Sequence, residues 1–131
     1  MNAICLIVAG VVRASLPGPE FTLEWAHSVE KTRWEETYRI DGDRLLLEEA
    51  RVEGSGAGME PPLGAQLRDG RWTWQPRSVH PELRLTESTS TRDYTLCAGG
   101  RCADLGERIG ATAEGEVVTV RACEAGSIAG K

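Results

Sequence analysis

Cys97 and Cys102 enclose Ala98-Gly99-Gly100-Arg101. A Gly-Gly pair between strand-like residues signals a two-residue hairpin turn, because both central residues of such a turn need positive φ. In that register Ala98 faces Arg101 and Cys97 faces Cys102. The second pair out from the turn is the non-hydrogen-bonded kind, where side chains approach most closely, and it suits a disulfide. Cys5 and Cys123 stand near opposite ends of the chain, and joining them would clamp the first strand to the last. Loop-closure entropy puts the long link at ~5 kcal/mol and the short one at ~2 kcal/mol. Four reduced core thiols and a metal site are the alternatives. The four-residue spacing in CAGGRC and only two histidines match zinc patterns poorly, so no metal is assigned. If the bridges form, the compartment is oxidising and extracytoplasmic.

Alternation of apolar and polar residues fills the space between the cysteines. Phe21, Leu23, Trp25, His27 and Val29 point one way, and Thr22, Glu24, Ala26, Ser28 and Glu30 the other, the period of a half-buried strand. Trp34, Glu36, Tyr38 and Ile40 alternate likewise against Glu35, Thr37 and Arg39. Asp41-Gly42 turns this run into a strand over 44–53, and Asp69-Gly70 would set Leu67 across from Trp72 and Ala65 across from Trp74. Leu83 to Thr86, Tyr94 to Ala98, Cys102 to Leu105 and Val117 to Ala122 read as further strands, with a short helical turn after Cys102. With 15 glycines to supply turns and no long helical period, the expected fold is all-β: an antiparallel β-sandwich or partly open β-barrel of about ten short strands. At 131 residues the chain encloses one core. We assign residues 1–123 to a single domain and 124–131 to a flexible tail.

The apolar start, Ala3 to Val12, covers about half the roughly 20 residues a membrane-spanning helix needs. Read as an export signal it lacks the preceding basic residues and would be a truncated one. Read as structure it is a buried hairpin, Ile4 to Ala9 and Val11 to Leu16 turned near Gly10, and this reading lets the cysteines pair. A formal net charge of −5 argues against nucleic acid as a partner.

A four-residue loop, Glu30-Lys31-Thr32-Arg33, would pair Val29 with Trp34, His27 with Glu36, Trp25 with Tyr38 and Leu23 with Ile40. His27 and Glu36 then become the polar members of an apolar face walled by Trp25, Trp34 and Tyr38. Directly opposed Cβ atoms lie ~5 Å apart, near enough for the carboxylate to hold the imidazole proton. Such a pair binds a polar ligand, works as an acid/base couple, or is a self-satisfied core pair. Ser28 lies on the opposite face and no other nucleophile stands beside the pair, so no catalytic residue and no cofactor are assigned and the chain is read as non-enzymatic. The glycine-rich stretch 53–62 lacks the Gly-Lys-Ser/Thr ending of a phosphate loop. Its Met59 is an adaptable apolar contact. His80, between Val79 and Pro81, reads as a loop histidine.

The blocks FTLEWAHSVEKTRWEETYRI, LLLEEARVEGSGAGMEPP and YTLCAGGRC together resemble the bacterial domain of unknown function family 1850. The motif positions retained include His27, Ser28, Glu30, Trp34, Glu36, Gly56, Gly58 and Met59, which we take as the candidate binding residues, and the Cys97/Cys102 hairpin. The family looks like a set of small exported proteins encoded beside TAXI-type TRAP transporters. The resemblance implies an extracytoplasmic accessory role in solute uptake, with transporter membrane subunits or the solute receptor as partners and a small-molecule solute as an alternative ligand.

Overall fold

The computed structural model describes residues 1–26, 32–53, 63–86, 94–110 and 115–124. Two antiparallel sheets share one core, which makes the fold an all-β sandwich. The smaller sheet runs β2 (Val11–Pro17), β1 (Ala3–Val8), β12 (Val117–Cys123), β9 (Leu83–Thr86). The larger runs β11 (Arg101–Asp104), β10 (Thr95–Ala98), β3 (Glu20–Ala26), β4 (Arg33–Asp41), β5 (Arg44–Glu53), β7 (Arg71–Trp74), β6 (Gln66–Arg68), and β8 (Ser78–His80) joins the other half of β5. A one-turn helix, α1 (Leu105–Ile109), follows β11 and buries Leu105 and Ile109.

Three turn dipeptides sit where the sequence puts them, while the turn expected at Asp41-Gly42 lies one residue on, at Gly42-Asp43, because Asp41 pairs with Arg44. Ala9-Gly10, Asp69-Gly70 and Gly99-Gly100 all have positive φ at both residues, the conformation that matches the right-handed twist of flanking strands. Ala98 faces Arg101, Cys97 faces Cys102 and Leu67 faces Trp72 as expected. The second pair expected there, Ala65 with Trp74, lies beyond the observed ladder, which runs out at Gln66 and Thr73. Ala3–Val8 is the interior strand β1, fully buried along its length, so the hairpin reading of the apolar start describes this segment. No helix among the described residues is long and apolar enough to cross a membrane.

Both disulfides are present. Cys97–Cys102 crosses the tip hairpin with Cα atoms 4.0 Å apart. Cys5–Cys123 joins β1 to β12 with Cα atoms 5.9 Å apart and 118 residues between them in sequence. Cys5 is opposite Arg121, not Cys123, so this bridge runs diagonally between neighbours on one face. It belongs to a small outer cluster with Ala3 and Ile7.

The main core brings Ile4, Leu6, Val8, Val118 and Val120 of the smaller sheet onto Phe21, Leu23, Tyr38, Leu45, Leu47 and Leu96 of the larger. On β5 the inward set changes phase: Leu45 and Leu47 are buried, then Ala50 and Val52. A bulge causes this, for Thr37 pairs with Glu49 while Tyr38 pairs with Leu47, leaving Glu48 unpaired. An extra residue shifts the period-2 pattern by one. Strict alternation along 44–53 would set Glu48 and Glu49 on opposite faces; the bulge overrides it, and both line one outer cleft with Gln75 and Arg77.

Candidate functional site: an aromatic face carrying one carboxylate

The eight-stranded sheet is wider than the four-stranded sheet packed on it. The joint core reaches Trp25 and Tyr94 at its margin, while Trp34, Trp72 and Trp74 lie beyond it on the same inner face. Register places them there: Trp34 and Trp72 both stand opposite Val52, and Trp74 stands opposite Ala50. The rings form a continuous row. Tyr94 and Trp25 have centroids 5.5 Å apart, Trp25 and Trp34 stack at 6.2 Å, and Trp34 meets Trp74 edge-on at 6.4 Å. Each of these side chains is half-buried, so each keeps part of a large apolar surface at the boundary with solvent.

Glu36 belongs to this face, opposite Leu23 on β3 and Ala50 on β5. Its Oε1 accepts a hydrogen bond from Tyr38 Oη at 2.8 Å. Tyr38 is 4% exposed and stacks on Phe21 at 5.2 Å. Burial first, and the Glu36 charge and hydrogen bond second, push its phenol far above the ordinary tyrosine range, because an anion there would be desolvated beside a carboxylate.

The His27–Glu36 pairing does not form. Trp25 pairs with Trp34 and Ala26 with Arg33, which puts Leu23, not His27, across from Glu36. Likewise Trp25 does not meet Tyr38, nor Leu23 Ile40. The four-residue loop assumed too tight a connection: the ladder closes earlier, leaving residues 27–32 between its last paired positions. His27, Ser28, Val29 and Glu30, together with Gly56, Gly58 and Met59, lie outside the described residues. Of the candidate binding residues, Trp34 and Glu36 are described, and the structure brings them together two apart on one strand face.

The outer face of the same sheet is a lattice of opposite charges. Glu24 and Glu35 are directly opposed, a repulsive arrangement on its own. Arg33 relieves Glu24 at 3.1 Å, and Glu35 Oε1 accepts from both Arg51 and Arg71 at 2.9 Å. Arg51 also reaches Glu49 at 2.8 Å. The Glu49 hydrogen bond, with Glu35 beside it, raises the guanidinium's pKa against the opposing effect of its partial burial. A cleft of about 260 Å³ lies over this lattice, but its Arg33, Arg51 and Arg71 are already engaged by Glu24, Glu35 and Glu49, which reads as sheet-surface architecture.

His80 is not on a loop: it pairs with Leu45 as the last residue of β8. Its Nε2 lies 2.9 Å from Ser78 Oγ, and its ring meets Tyr38 edge-on at 6.3 Å. Among the described residues no carboxylate contacts His80, so nothing orients the ring as the base of a serine nucleophile. Among the described residues, too, no group of three or more His, Cys, Asp and Glu side chains is arranged to hold a metal ion.

The signal that sequence reasoning missed is the pair Trp72 and Trp74. They belong with Trp34 because β5 places small residues, Ala50 and Val52, between them.

The profile of a domain of unknown function, DUF1850, matches residues 21–105. The chain belongs to the DUF1850 family. No curated protein and no solved structure matches it. The DUF1850 segment takes in the larger sheet, the aromatic face, Glu36 and the Cys97–Cys102 hairpin. β1, β2 and β12 of the smaller sheet, with the Cys5–Cys123 bridge, lie outside the matched residues.

Proposed function

We propose that this DUF1850 protein is a non-catalytic extracytoplasmic binding domain, accessory to a TAXI-type TRAP solute-uptake system and acting through protein contacts. The observation that carries the binding role is the half-buried row Trp25–Trp34–Trp74 on sheet surface that the smaller sheet does not reach. Clustered aromatic surface of this kind is typical of contact sites. The two disulfides support an oxidising compartment. The link to solute uptake rests on family likeness. Co-purification with the transporter's membrane subunits or receptor in mild detergent tests the reading. Recovery falls sharply in Trp34→Ala/Trp74→Ala protein that still holds both disulfides, and unchanged recovery refutes it.

A second reading is favoured by Glu36: a small-ligand module in which the carboxylate orients a solute against the rings. Calorimetry against the transporter's solutes separates the two, since a domain acting only through protein contacts shows no saturable heat with them.

A further inference from the structure

β6 is the last strand of the larger sheet on the side of Trp72 and Trp74, and among the described residues no strand lies beyond it. The two-residue turn at Asp69-Gly70 makes Arg68 and Arg71 the hydrogen-bonded pair that flanks it, so Leu67 and Trp72 form the next, non-hydrogen-bonded pair. The N–H and C=O of Leu67 therefore point away from β7, along the open edge of the sheet. Its side chain shares a face with Trp72, which stands opposite Val52, which in turn stands opposite Trp34. The apolar face thus runs unbroken to the edge, where Leu67 is 60% exposed. The edges of the smaller sheet are guarded: Arg13 ties β2 to Ile109 O of α1 at 2.8 Å, and Arg84 sets an ion pair with Glu82 on β9.

The outer face of β6 has the opposite character. Glu53, Arg71 and Arg68 form one row across β5, β7 and β6, each directly opposite the next. The two arginines repel. Arg71 turns back to Glu35 at 2.9 Å, whereas Arg68 holds the neutral amide oxygen of Gln66 at 2.6 Å. A carboxylate on a strand added beyond β6 would stand opposite Arg68 and balance the row, and a cation there would worsen it. A second copy of this chain brings no such carboxylate: antiparallel pairing centred on Leu67 sets Gln66 opposite Arg68, the contact that Arg68 already makes. Three residues also bury far less than the ~800 Å² per partner of a stable dimer. We infer that the free edge of β6 takes up an extended segment of a partner protein as an added strand, apolar on the face of Leu67 and Trp72 and acidic opposite Arg68. Main-chain hydrogen bonds hold such a segment, and its alternate side chains decide which one is accepted. This names the kind of partner for the protein-contact reading above and rests on that reading.

The probe is the peptide Thr-Val-Glu-Val-Glu-Val-Thr, carrying fluorescein at its N-terminus and an amide at its C-terminus, titrated with the full chain and followed by fluorescence anisotropy. Two companions share its length. One has lysine in place of both glutamates, and the other has its central valine N-methylated, which removes the N–H that would meet Leu67 C=O and keeps every side chain. The expected result is weak, saturable binding of the glutamate peptide, at least about tenfold weaker with either companion and about tenfold weaker in Arg68→Gln protein. Saturating glutamate peptide should also slow deuterium exchange at the Leu67 amide. Equal affinity for the N-methylated peptide overturns strand addition, and equal affinity for the lysine peptide overturns the acidic partner. Absence of saturable binding, or dimerisation of the chain through β6 that the peptide displaces, overturns the inference as a whole. The co-purification test above then decides the protein-contact reading separately. The peptide comparisons use unmodified protein and stand even if the variant fails to fold.

Discussion

Tyr38 shows how one side chain ties the core to the candidate site. Its ring is core, stacked on Phe21, while its hydroxyl belongs to Glu36. The raised phenol pKa has a definite sign in stability. The native state keeps the Tyr38 proton after an unfolded tyrosine has released its own near pH ~10. Stability from this group is thus complete below about pH 10 and falls as pH rises beyond it, by up to ~1.4 kcal/mol per pH unit. Urea unfolding followed from neutral pH into the alkaline range should show that decline in the native protein and a shallower one in Tyr38→Phe. Equal slopes would mean that Tyr38 titrates normally. Glu36 itself was legible as the polar member of an apolar strand face, but its partner was not. Period-2 alternation tells which face a residue occupies and is blind to register errors in which the faces are conserved. Trp25 faces the core whether it meets Tyr38 or Trp34, so the pattern could not choose between them.

At the scale of elements, what could be read in advance was whatever a turn determines locally. Gly99-Gly100 set four pairings between β10 and β11, Thr95 with Asp104 through Ala98 with Arg101, because a two-residue turn leaves one register. The β3–β4 connection has no such dipeptide, and there the pairing went astray. The β5 bulge was missed: an unbroken period puts Glu48 and Glu49 on alternate faces, whereas the structure buries Leu45 and Leu47 and then Ala50 and Val52, with the two glutamates absorbing the slip. Deleting Glu48 should force one of these two sets out of the core. We expect a loss on the order of 3 kcal/mol or more, from turning at least one pair of apolar side chains outward. It would be read as a lower urea midpoint. Glu48→Ala, which keeps the bulge, should change stability by only about 0.5 kcal/mol. Comparable losses in both variants would show that the side chain, not the extra residue, is what matters. The aromatic face escaped sequence reasoning for a related reason: Trp34 and Trp74 are neighbours only because β5 runs between them, and no local spacing encodes a three-strand row.

For the whole molecule, the two bridges differ in solvent access. Cys5 and Cys123 are 1% and 9% exposed, whereas Cys102 is exposed and Cys97 half-buried. Attack by a thiolate needs access to sulfur. A rising concentration of a dithiol should therefore open Cys97–Cys102 first, so that a thiol label followed by peptide mapping finds those two cysteines while Cys5 and Cys123 stay unlabelled. Simultaneous labelling of all four would contradict the burial difference. The Cys5–Cys123 bridge also encloses far more chain, and its removal should cost more, ~5 against ~2 kcal/mol.

The diagonal bond between β1 and β12 also makes the molecule a covalent ring from Cys5 to Cys123. A protease that cuts once in a connection between them opens the ring without dividing it. The nicked chain keeps its mass apart from one added water, its strands remain tethered at the seam between first and last, and only a reductant lets the fragments part. For a domain working where proteases are abundant, a severed loop then need not mean a lost molecule.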